Sequence, residues 1–320
     1  MQYTNNYNIP LSLAVFLATD DYDYDPYTIS ATSLLKPIRS LILSKRVPKE
    51  QMIVDISSLV SARMGSAIHT AIEKAWMNPA QAIKSLGYPE HIVNKVVINP
   101  TEVKPGQIPV YMEQRAYKEV LGYKVSGKFD FVASGQVEDF KSTSVYTYLN
   151  QTNKDKYILQ GSIYRWLNPD IITKDKMRIN YVFTDWNKKD SLSNPNYPAS
   201  RVHTQSLPLM SIQETDNWVR NRLQLIKTYT PLDESELPLC TDEELWRKEN
   251  VYKYYANPAN TSRATKNFNT YTEAMQYYIE RGATGLVKEV KGKVTACKYC
   301  NAYAICSQRV TLEESGDLVI

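Results

Sequence analysis

The sequence has 320 residues, with 38 lysines and arginines against 34 aspartates and glutamates and a formal net charge of +4. This length supports one sizeable domain with elaborations or two smaller ones, and so mild a charge is compatible with nucleic acid without pointing to it. The 24 tyrosines and only 11 glycines argue against low-complexity disorder. The sequence has no apolar run of membrane-spanning length and no signal-peptide pattern, so we expect a cytoplasmic protein with no membrane partner.

The first part of the chain is predicted to hold two helices. Residues 1–28 are polar and rich in Tyr and Asp, and we expect an irregular lead-in there. Leu34–Ile42 has the apolar spacing of a helix, with Pro37 in its first turns, where proline is tolerated best. Asp55–Met77 predicts a second helix with a broad apolar stripe, which Asn78 and the proline after it bring to an end.

Three residues of the second helix form a row on one face. Gly65, His69 and Glu73 are spaced four residues apart, which places them one turn above another. A glycine inside a helix costs about 1 kcal/mol relative to alanine, so Gly65 indicates a close approach to another backbone. His69 then projects into whatever packs against this face. A single His beside an apolar stripe is more often a satisfied core residue than a ligand, and both interpretations stay open.

The central stretch, Val125–Lys141, predicts two short strands joined by a polar turn. If Ala133–Gln136 forms a four-residue loop, Asp130 lies across from Asp139 on the same face, because Val132 then pairs with Val137. Like charges placed opposite each other destabilise a sheet unless a cation offsets them, and a divalent metal ion is the obvious candidate. Lys141 follows on that face, within reach of a metal-bound phosphate. A surface hairpin with solvated charges is the alternative.

The strand before this hairpin and the elements after it complete the predicted core. Val110–Val120 predicts a strand that carries Glu113, which is either an exposed edge carboxylate or a residue that supports the metal ligands or binds a second metal. A helix over Asn153–Leu167 carries Gln160 and Tyr164 on one face. Met177–Phe183 alternates as a further strand, and residues 188–201 have the composition of a surface loop.

The last part of the chain is predicted to be all-helical from about residue 230. Capping-box pairs predict three helix starts, at Ser211 with Glu214, Thr241 with Glu244, and Thr270 with Glu273. The first of these helices should reach Tyr229. The element order indicates an α/β fold with a central mixed sheet flanked by helices, followed by a helical C-terminal extension. We expect an N-terminal lead-in and helix over residues 1–50, a core over 51–230 and the extension over 231–320.

Five motifs occur in order on these predicted elements: GSAIH at Gly65–His69, a strand glutamate at Glu113, GKFDF at Gly127–Phe131, EDFK at Glu138–Lys141 and QGSIY at Gln160–Tyr164. In this combination the sequence resembles the PD-(D/E)XK nuclease superfamily, in its RecB-like branch, over more than half the chain. The resemblance implies a restriction-endonuclease-like core. It also implies a metal-dependent DNA exonuclease.

The resemblance assigns roles to these motifs. It implies Mg²⁺ or Mn²⁺ ligation by His69, Asp130, Asp139 and the Phe140 carbonyl. Lys141 would orient or activate the attacking water and stabilise charge on phosphorus, with Glu113 assisting. Gln160 and Tyr164 would position DNA or the catalytic carboxylates. The residue types suit this chemistry, because phosphodiester hydrolysis needs a metal ion and a cation near the transition state. An imidazole ligand favours Mn²⁺ over Mg²⁺.

The four cysteines form a second signal. Cys297, Cys300 and Cys306 have the spacing C-x2-C-x5-C, and Cys240 lies upstream. A structural Zn²⁺ site is one interpretation. The spacing also resembles that of AddB-type and CRISPR-associated RecB-like nucleases, where three such cysteines and an earlier one hold a [4Fe–4S] cluster. Here no cysteine precedes His69, so Cys240 would have to replace the earlier one. Lysines and tyrosines near the cysteines form either a DNA-binding or a solvated surface: Lys288, Lys291, Lys293, Lys298, Tyr299 and Tyr303.

We therefore expect a DNA exonuclease of recombination, repair or replication, of phage or bacterial type. The sequence has no G-x-x-x-x-G-K-[ST] loop, so it should act on free ends or single strands without its own motor. A recombination or single-strand-binding protein is a candidate partner. Two alternatives stay open. A non-catalytic nucleic-acid-binding subunit predicts a damaged metal set, and a structure- or site-specific endonuclease would cut circular DNA.

Overall fold

The computed structural model of the chain describes residues 2–20 and 25–318. Its strands are β1 (Gln2–Thr4), β2 (Ile29–Ser30), β3 (Ile53–Asp55), β4 (Val96–Ile98), β5 (Ile108–Met112), β6 (Arg115–Val120), β7 (Tyr123–Lys128), β8 (Phe131–Ala133), β9 (Gln136–Thr143), β10 (Lys176–Phe183), β11 (Val202–Pro208), β12 (Val251–Tyr255), β13 (Lys266–Phe268) and β14 (Leu286–Val290). Its α-helices are α1 (Leu11–Ala18), α2 (Ala31–Leu34), α3 (Ile38–Ser44), α4 (Val60–Met77), α5 (Ala80–Ser85), α6 (Glu90–Val93), α7 (Val145–Leu149), α8 (Lys154–Leu167), α9 (Lys188–Ser193), α10 (Ile212–Tyr229), α11 (Tyr271–Glu280) and α12 (Ser307–Glu314). No helix in the described ranges is long and apolar enough to cross a membrane.

The described chain divides into two compact units. The first comprises the described residues up to Lys36 together with Ile53–Leu225, and the second comprises Pro37–Met52 together with the described residues from Ile226 onward. The predicted linear boundaries at about residues 50 and 230 stay a prediction. The predicted α/β class is confirmed, with a central mixed sheet flanked by helices and a C-terminal part that holds helices and the cysteines.

The first unit is built on a six-stranded mixed sheet in the order β11-β10-β9-β8-β5-β4. The pairs β9–β10 and β4–β5 are parallel and the others antiparallel. A second sheet has the order β2-β7-β6, and β1 pairs with β3. Helix α4 packs against β9, while α8 packs against β6, β7 and β10. Fully buried apolar side chains fill this core, among them Val125, Phe129, Ile163, Trp166, Met177, Ile179 and Phe183.

The predicted hairpin register is confirmed, although the loop of the hairpin is two residues shorter than predicted. Val132 pairs with Val137, and Ala133 also pairs with Gln136, so the loop is only Ser134 and Gly135. Both loop residues have positive φ, at 51° and 75°, which is the requirement of the tight turns that match strand twist. The preceding strand, β7, belongs to the other sheet, so the stretch from Val125 joins two sheets instead of forming one hairpin.

Several other predictions are confirmed. Helices α4 and α8 and strand β10 lie where the periodicity placed them. The capping box of Ser211 and Glu214 opens α10, which ends at Tyr229 as predicted. The corresponding box at Thr270 opens α11. In each case the local capping chemistry and the apolar pattern agree on the same element.

Five predictions for the chain before residue 209 are wrong. The single helix over Leu34–Ile42 is broken into α2 and α3 at Pro37, because proline has no N–H to donate within a helix. The strand over Val110–Val120 is two strands in different sheets. Gly65 approaches no other backbone, since a Cβ there would meet open space. The lead-in is not wholly irregular, as it contains β1 and α1; its residues 1 and 21–24 lie outside the described ranges. The predicted loop over residues 188–201 contains α9, and β11 follows it without having been predicted.

In the second unit, the all-helical prediction is also wrong. An antiparallel sheet in the order β13-β12-β14 lies among its helices. The capping box of Thr241 and Glu244 forms, with Thr241 N bonded to Glu244 Oε2 at 2.9 Å, yet no helix follows. The chain makes one turn and closes at once, because Arg247 N bonds to Asp242 O and Trp246 N to Glu243 O. This is the pattern of a Schellman helix end.

Candidate metal centre

Two breaks between strands face each other in the first unit and place two acids together. Glu113 lies between β5 and β6, and Asp130 lies between β7 and β8. Their backbones are joined by hydrogen bonds from Glu113 N to Asp130 O (3.1 Å) and from Phe129 N to Gln114 O (3.3 Å). Glu113 has φ of 50°, a conformation uncommon outside glycine and worth inspection at a functional site. The bend turns its carboxylate toward Asp130.

His69 reaches the same place from helix α4. Its Nε2 lies 2.9 Å from the carbonyl oxygen of Phe140, and its Nδ1 lies 3.5 Å from Asp130 Oδ2. One ligand atom each from His69, Glu113 and Asp130 lie within 4.8 Å of one another. If Nε2 carries the hydrogen and donates to Phe140, the Nδ1 lone pair faces Asp130. Histidines that ligate metals commonly hold their other ring N–H on a carbonyl in this way.

Asp139 and Lys141 lie beside this group on strand β9. Asp139 is only 1% exposed, and its Oδ2 lies 2.6 Å from the Lys141 ammonium. The residue between them, Phe140, donates its N–H to Asp130 Oδ2 at 2.9 Å. The predicted pairing of Asp130 directly across from Asp139 is not part of the ladder, which ends at Phe131 and Glu138. The two acids are nonetheless close enough to repel each other.

The electrostatics of the centre reflect this crowding. Burial, followed by the neighbouring Asp139 carboxylate, raises the pKa of Asp130 well above its ordinary value. Burial alone would lower the pKa of Lys141, but the carboxylates of Asp139 and Asp130 outweigh it, and the net shift is upward. An ammonium with a raised pKa stays charged at neutral pH. Lys141 is thus suited to holding negative charge, and poorly suited to taking up a proton.

Sequence reasoning missed one residue of this centre, Lys128. Its ammonium lies 2.6 Å from Glu113 Oε2, with both side chains largely buried. The alternation along β7 placed Lys128 on the face of Asp130, which was the available signal. Three carboxylates (Glu113, Asp130, Asp139) therefore meet two ammonium groups, and when all three carboxylates are ionised the excess is one negative charge. This excess and the mixed nitrogen and oxygen donors fit a divalent cation.

Gln160 and Tyr164 are both buried in helix α8. Gln160 Nε2 donates to the Tyr164 hydroxyl at 2.7 Å, and the two side chains are 8% and 4% exposed. The Tyr164 ring packs over Gly127, where an added Cβ would lie 3.1 Å from ring atom Cδ1 and 2.6 Å from Leu167 Cδ1. At this burial neither side chain offers a surface to DNA. The other predicted alternative, that these side chains position the catalytic carboxylates, stays a prediction.

The four cysteines are not joined by disulfides, and all lie within the second unit. Arg39 Nε donates to Cys306 Sγ at 3.4 Å, and the Ser40 hydroxyl lies 3.3 Å from Cys300 Sγ. Burial, with smaller contributions from neighbouring groups that include the Cys300 and Cys306 thiols, raises the pKa of Cys240 to about 12 and of Cys297 to about 11. All four are described, and no three of their sulfur atoms lie within 4.8 Å of one another.

That spacing bears on what the thiols could hold. Two sulfurs on one Zn²⁺ can be at most about 4.6 Å apart, twice the Zn–S distance. The cysteines are thus brought to one region but more widely spaced than a single Zn²⁺ requires.

Several solved structures resemble this chain at low TM-scores, and three of them are described here. The protein SSO0001 is 16% identical with a TM-score of 0.39, covering 68% of this chain and 84% of that one. A phage-related exonuclease from Haemophilus somnus 129PT is 15% identical with a TM-score of 0.29, covering 63% and 93%. A candidate exonuclease from Eubacterium rectale is 11% identical with a TM-score of 0.34, covering 67% and 84%. No protein-family model and no curated protein matches. Scores this low carry no argument about function, which has to come from the site.

Proposed function

We propose that this chain is a divalent-metal-dependent DNA nuclease of the PD-(D/E)XK type, acting as an exonuclease. The observation that supports it best is the meeting of His69, Glu113 and Asp130 ligand atoms within 4.8 Å, beside the buried Asp139–Lys141 pair. A binding subunit has no need to hold three acids together at the cost of their mutual repulsion. The role in recombination, repair or replication and any protein partner stay predictions.

The metal would be held by His69, Asp130 and Glu113. When bound, such an ion lowers the pKa of a coordinated water and neutralises charge on the non-bridging phosphate oxygens. This ligand set differs from the one the resemblance implies. In the Nε2–H tautomer the Phe140 carbonyl accepts from His69, which makes it an orienting partner of that ligand. The Asp139 carboxylate holds Lys141.

The two lysines of the centre, Lys141 and Lys128, are held in position by carboxylates before the substrate phosphate binds. Asp139 fixes the Lys141 ammonium at 2.6 Å, so the cation is positioned before the substrate arrives. From there Lys141 donates hydrogen bonds to the attacking water or to a phosphate oxygen whose charge grows in the transition state. The Lys128 ammonium holds the Glu113 carboxylate by an ion pair at 2.6 Å. With a divalent ion the centre changes from one negative to one positive charge, opposite to a phosphodiester.

The experiment that tests this function compares linear and circular DNA with Mg²⁺ or Mn²⁺. We expect end-labelled linear DNA to be shortened and covalently closed circular DNA to survive. Mn²⁺ should support the reaction at least as well as Mg²⁺, because an imidazole ligand favours Mn²⁺. Cleavage of circular DNA would replace the exonuclease with an endonuclease. A strict Mg²⁺ requirement would count against His69 as a ligand, and no cleavage of either DNA would leave a binding role.

For the cysteines we propose a [4Fe–4S] cluster bound by Cys240, Cys297, Cys300 and Cys306, with Zn²⁺ as the alternative. The support is their meeting in one region at a spacing wider than a single Zn²⁺ requires. We expect anaerobically purified protein to contain iron and acid-labile sulfide and to absorb broadly near 400 nm. Cys300→Ser should lose that absorbance. Stoichiometric zinc without iron would establish the alternative, and neither metal would leave ordinary buried thiols.

A further inference from the structure

An exposed aromatic pair lies next to the cysteine segment in the second unit. Trp246 and Tyr299 are 47% and 72% exposed, and their ring centroids are 5.8 Å apart at an interplanar angle of 40°. Exposing large aromatic side chains to water costs free energy that their burial would recover. The rings already contact each other, so a flat ligand would stack on the open face of Tyr299. We propose that Trp246 and Tyr299 form a base-stacking platform for single-stranded nucleic acid.

The backbone beneath Trp246 supports a functional origin for the pair. Trp246 has φ of 50° and occupies the Schellman position that glycine normally takes. A bulky residue there is a conformational outlier, held because its surroundings fix it. Those surroundings are specific, since Thr295 Oγ1 donates to Trp246 O at 3.3 Å and Thr295 N donates to Leu245 O at 3.2 Å. A strained backbone that presents an exposed indole is difficult to explain by folding alone.

The charges around the platform identify the ligand class. Lys298 directly precedes Tyr299, Lys248 lies two residues after Trp246, and both lysines are exposed. Lys293 lies beside them, because Lys248 N donates to its carbonyl, while its own ammonium donates to Gly316 O at 2.5 Å. Of the nearby acids, Asp242 and Asp317 are paired with Arg247, Glu244 caps the turn at Thr241, and Glu243 and Glu249 are exposed. Lysines around stacking aromatics are the chemistry of single-strand binding, in which cations follow phosphates and rings stack on bases. An apolar protein partner would not require the lysines.

The platform would bind the substrate strand of the proposed nuclease, so its biological purpose rests on the proposed function. It would hold the single strand on the second unit, whereas the metal centre belongs to the first. Every base has an aromatic face, so the platform is expected to tolerate sequence differences.

The test measures binding of a labelled oligo-dT of about 20 nucleotides to the full chain, by anisotropy in EDTA, where no cleavage occurs. Trp246→Gly is the informative variant, because glycine suits the positive φ and should leave the melting temperature equal or higher. We expect the Kd of Trp246→Gly to be about 10-fold higher than that of the wild type, and we expect a similar increase for Tyr299→Ala. Tyr271→Ala is the matched control: its ring is 57% exposed and pairs with Tyr252 at the same 5.8 Å, beside the acid Glu289. This control should bind like the wild type.

Unchanged affinity in Trp246→Gly would overturn the platform and leave the pair as a contact for a protein. An equal loss in Tyr271→Ala would also overturn it, because the effect would then not belong to this pair. The result is independent of catalysis. If the wild type cleaves DNA and Trp246→Gly binds normally, only the platform is wrong. If the wild type cleaves nothing but Trp246→Gly loses affinity, the platform holds and the nuclease does not.

Discussion

Replacing Lys141 by methionine is expected to lower the rate of DNA cleavage at saturating Mn²⁺ by about 10³-fold, while DNA affinity changes little. Methionine keeps the length of the side chain but removes the ammonium that Asp139 positions. The lost interaction is one that strengthens as charge develops on the phosphate, so the effect should fall on kcat and not on KM. Rates are measured on end-labelled linear DNA, and affinity is measured in Ca²⁺ or EDTA.

Two controls separate this effect from a folding defect. Lys124→Met removes an exposed lysine of β7 that stacks on Tyr117, and it should leave cleavage unchanged. Lys141→Met leaves the buried Asp139 without its cation, which destabilises the fold, so D139N/K141M removes both charges together. The double variant should regain thermal stability without regaining activity. Cleavage by Lys141→Met within a few-fold of wild type would show that the ammonium does not contact the reacting phosphate.

Asp130→Asn is expected to stabilise the metal-free protein and to abolish its stabilisation by Mn²⁺. Burial and Asp139 raise the pKa of Asp130 in the folded state, so the folded protein holds a proton there more tightly than the unfolded chain does. The stability that this proton provides is present below the ordinary Asp range and is lost as pH rises through the raised pKa. At neutral pH the asparagine variant avoids this loss, and its Tm should be higher by about 3 °C or more.

The pH dependence provides the sharper readout. In the wild type the gain in Tm from Mn²⁺ should grow from about pH 5 to about pH 8, because the metal needs the deprotonated carboxylate that the folded protein otherwise disfavours. In Asp130→Asn the gain in Tm from Mn²⁺ should be small at both pH values. Glu119→Gln, which removes an exposed acid of β6, should behave like the wild type. A Mn²⁺ gain retained in Asp130→Asn would remove this residue from the ligand set.

The part of the centre that follows strand alternation was predictable from sequence. The two sides of the β8–β9 turn have a strict period of two, and the register Val132 with Val137 follows from it. His69 on α4 was predictable as well, since helical spacing fixed the face on which it lies. Periodicity could not predict which element this face contacts, because the Phe140 carbonyl that His69 contacts lies 71 residues further along the chain.

Glu113 illustrates what sequence patterning could not reach. The residues around Glu113 predict one strand because the alternation continues on both sides of it. The chain nevertheless turns at Glu113, where φ is 50°, and continues in a different sheet. No turn residue marks the bend. The conformation is fixed by hydrogen bonds to Asp130 and from Phe129, which belong to a distant part of the chain. Tertiary contacts override local preference at this position, as is common at functional sites.

The sheet of the second unit was missed for a different reason. Its central strand, Val251–Tyr255, is VYKYY, a β-branched and aromatic run that favours a strand. The capping boxes at Thr241 and Thr270 on either side of it favoured helices and directed the interpretation. At Thr241 the capping chemistry is real but a Schellman closure follows within one turn, with Trp246 in place of glycine. A tryptophan gives no sequence signal of a helix end.

His69, Glu113 and Asp130 are the residues we propose to hold a catalytic divalent ion. The most direct measurement is anomalous X-ray scattering from crystals soaked in Mn²⁺, with data collected at the manganese edge. We expect a peak in contact with His69 and Asp130, adjacent to Glu113, and its loss in crystals of Asp130→Asn. Full occupancy by Mn²⁺ elsewhere in the first unit, with His69 and Asp130 still in contact only with each other and with Phe140, would contradict this metal site.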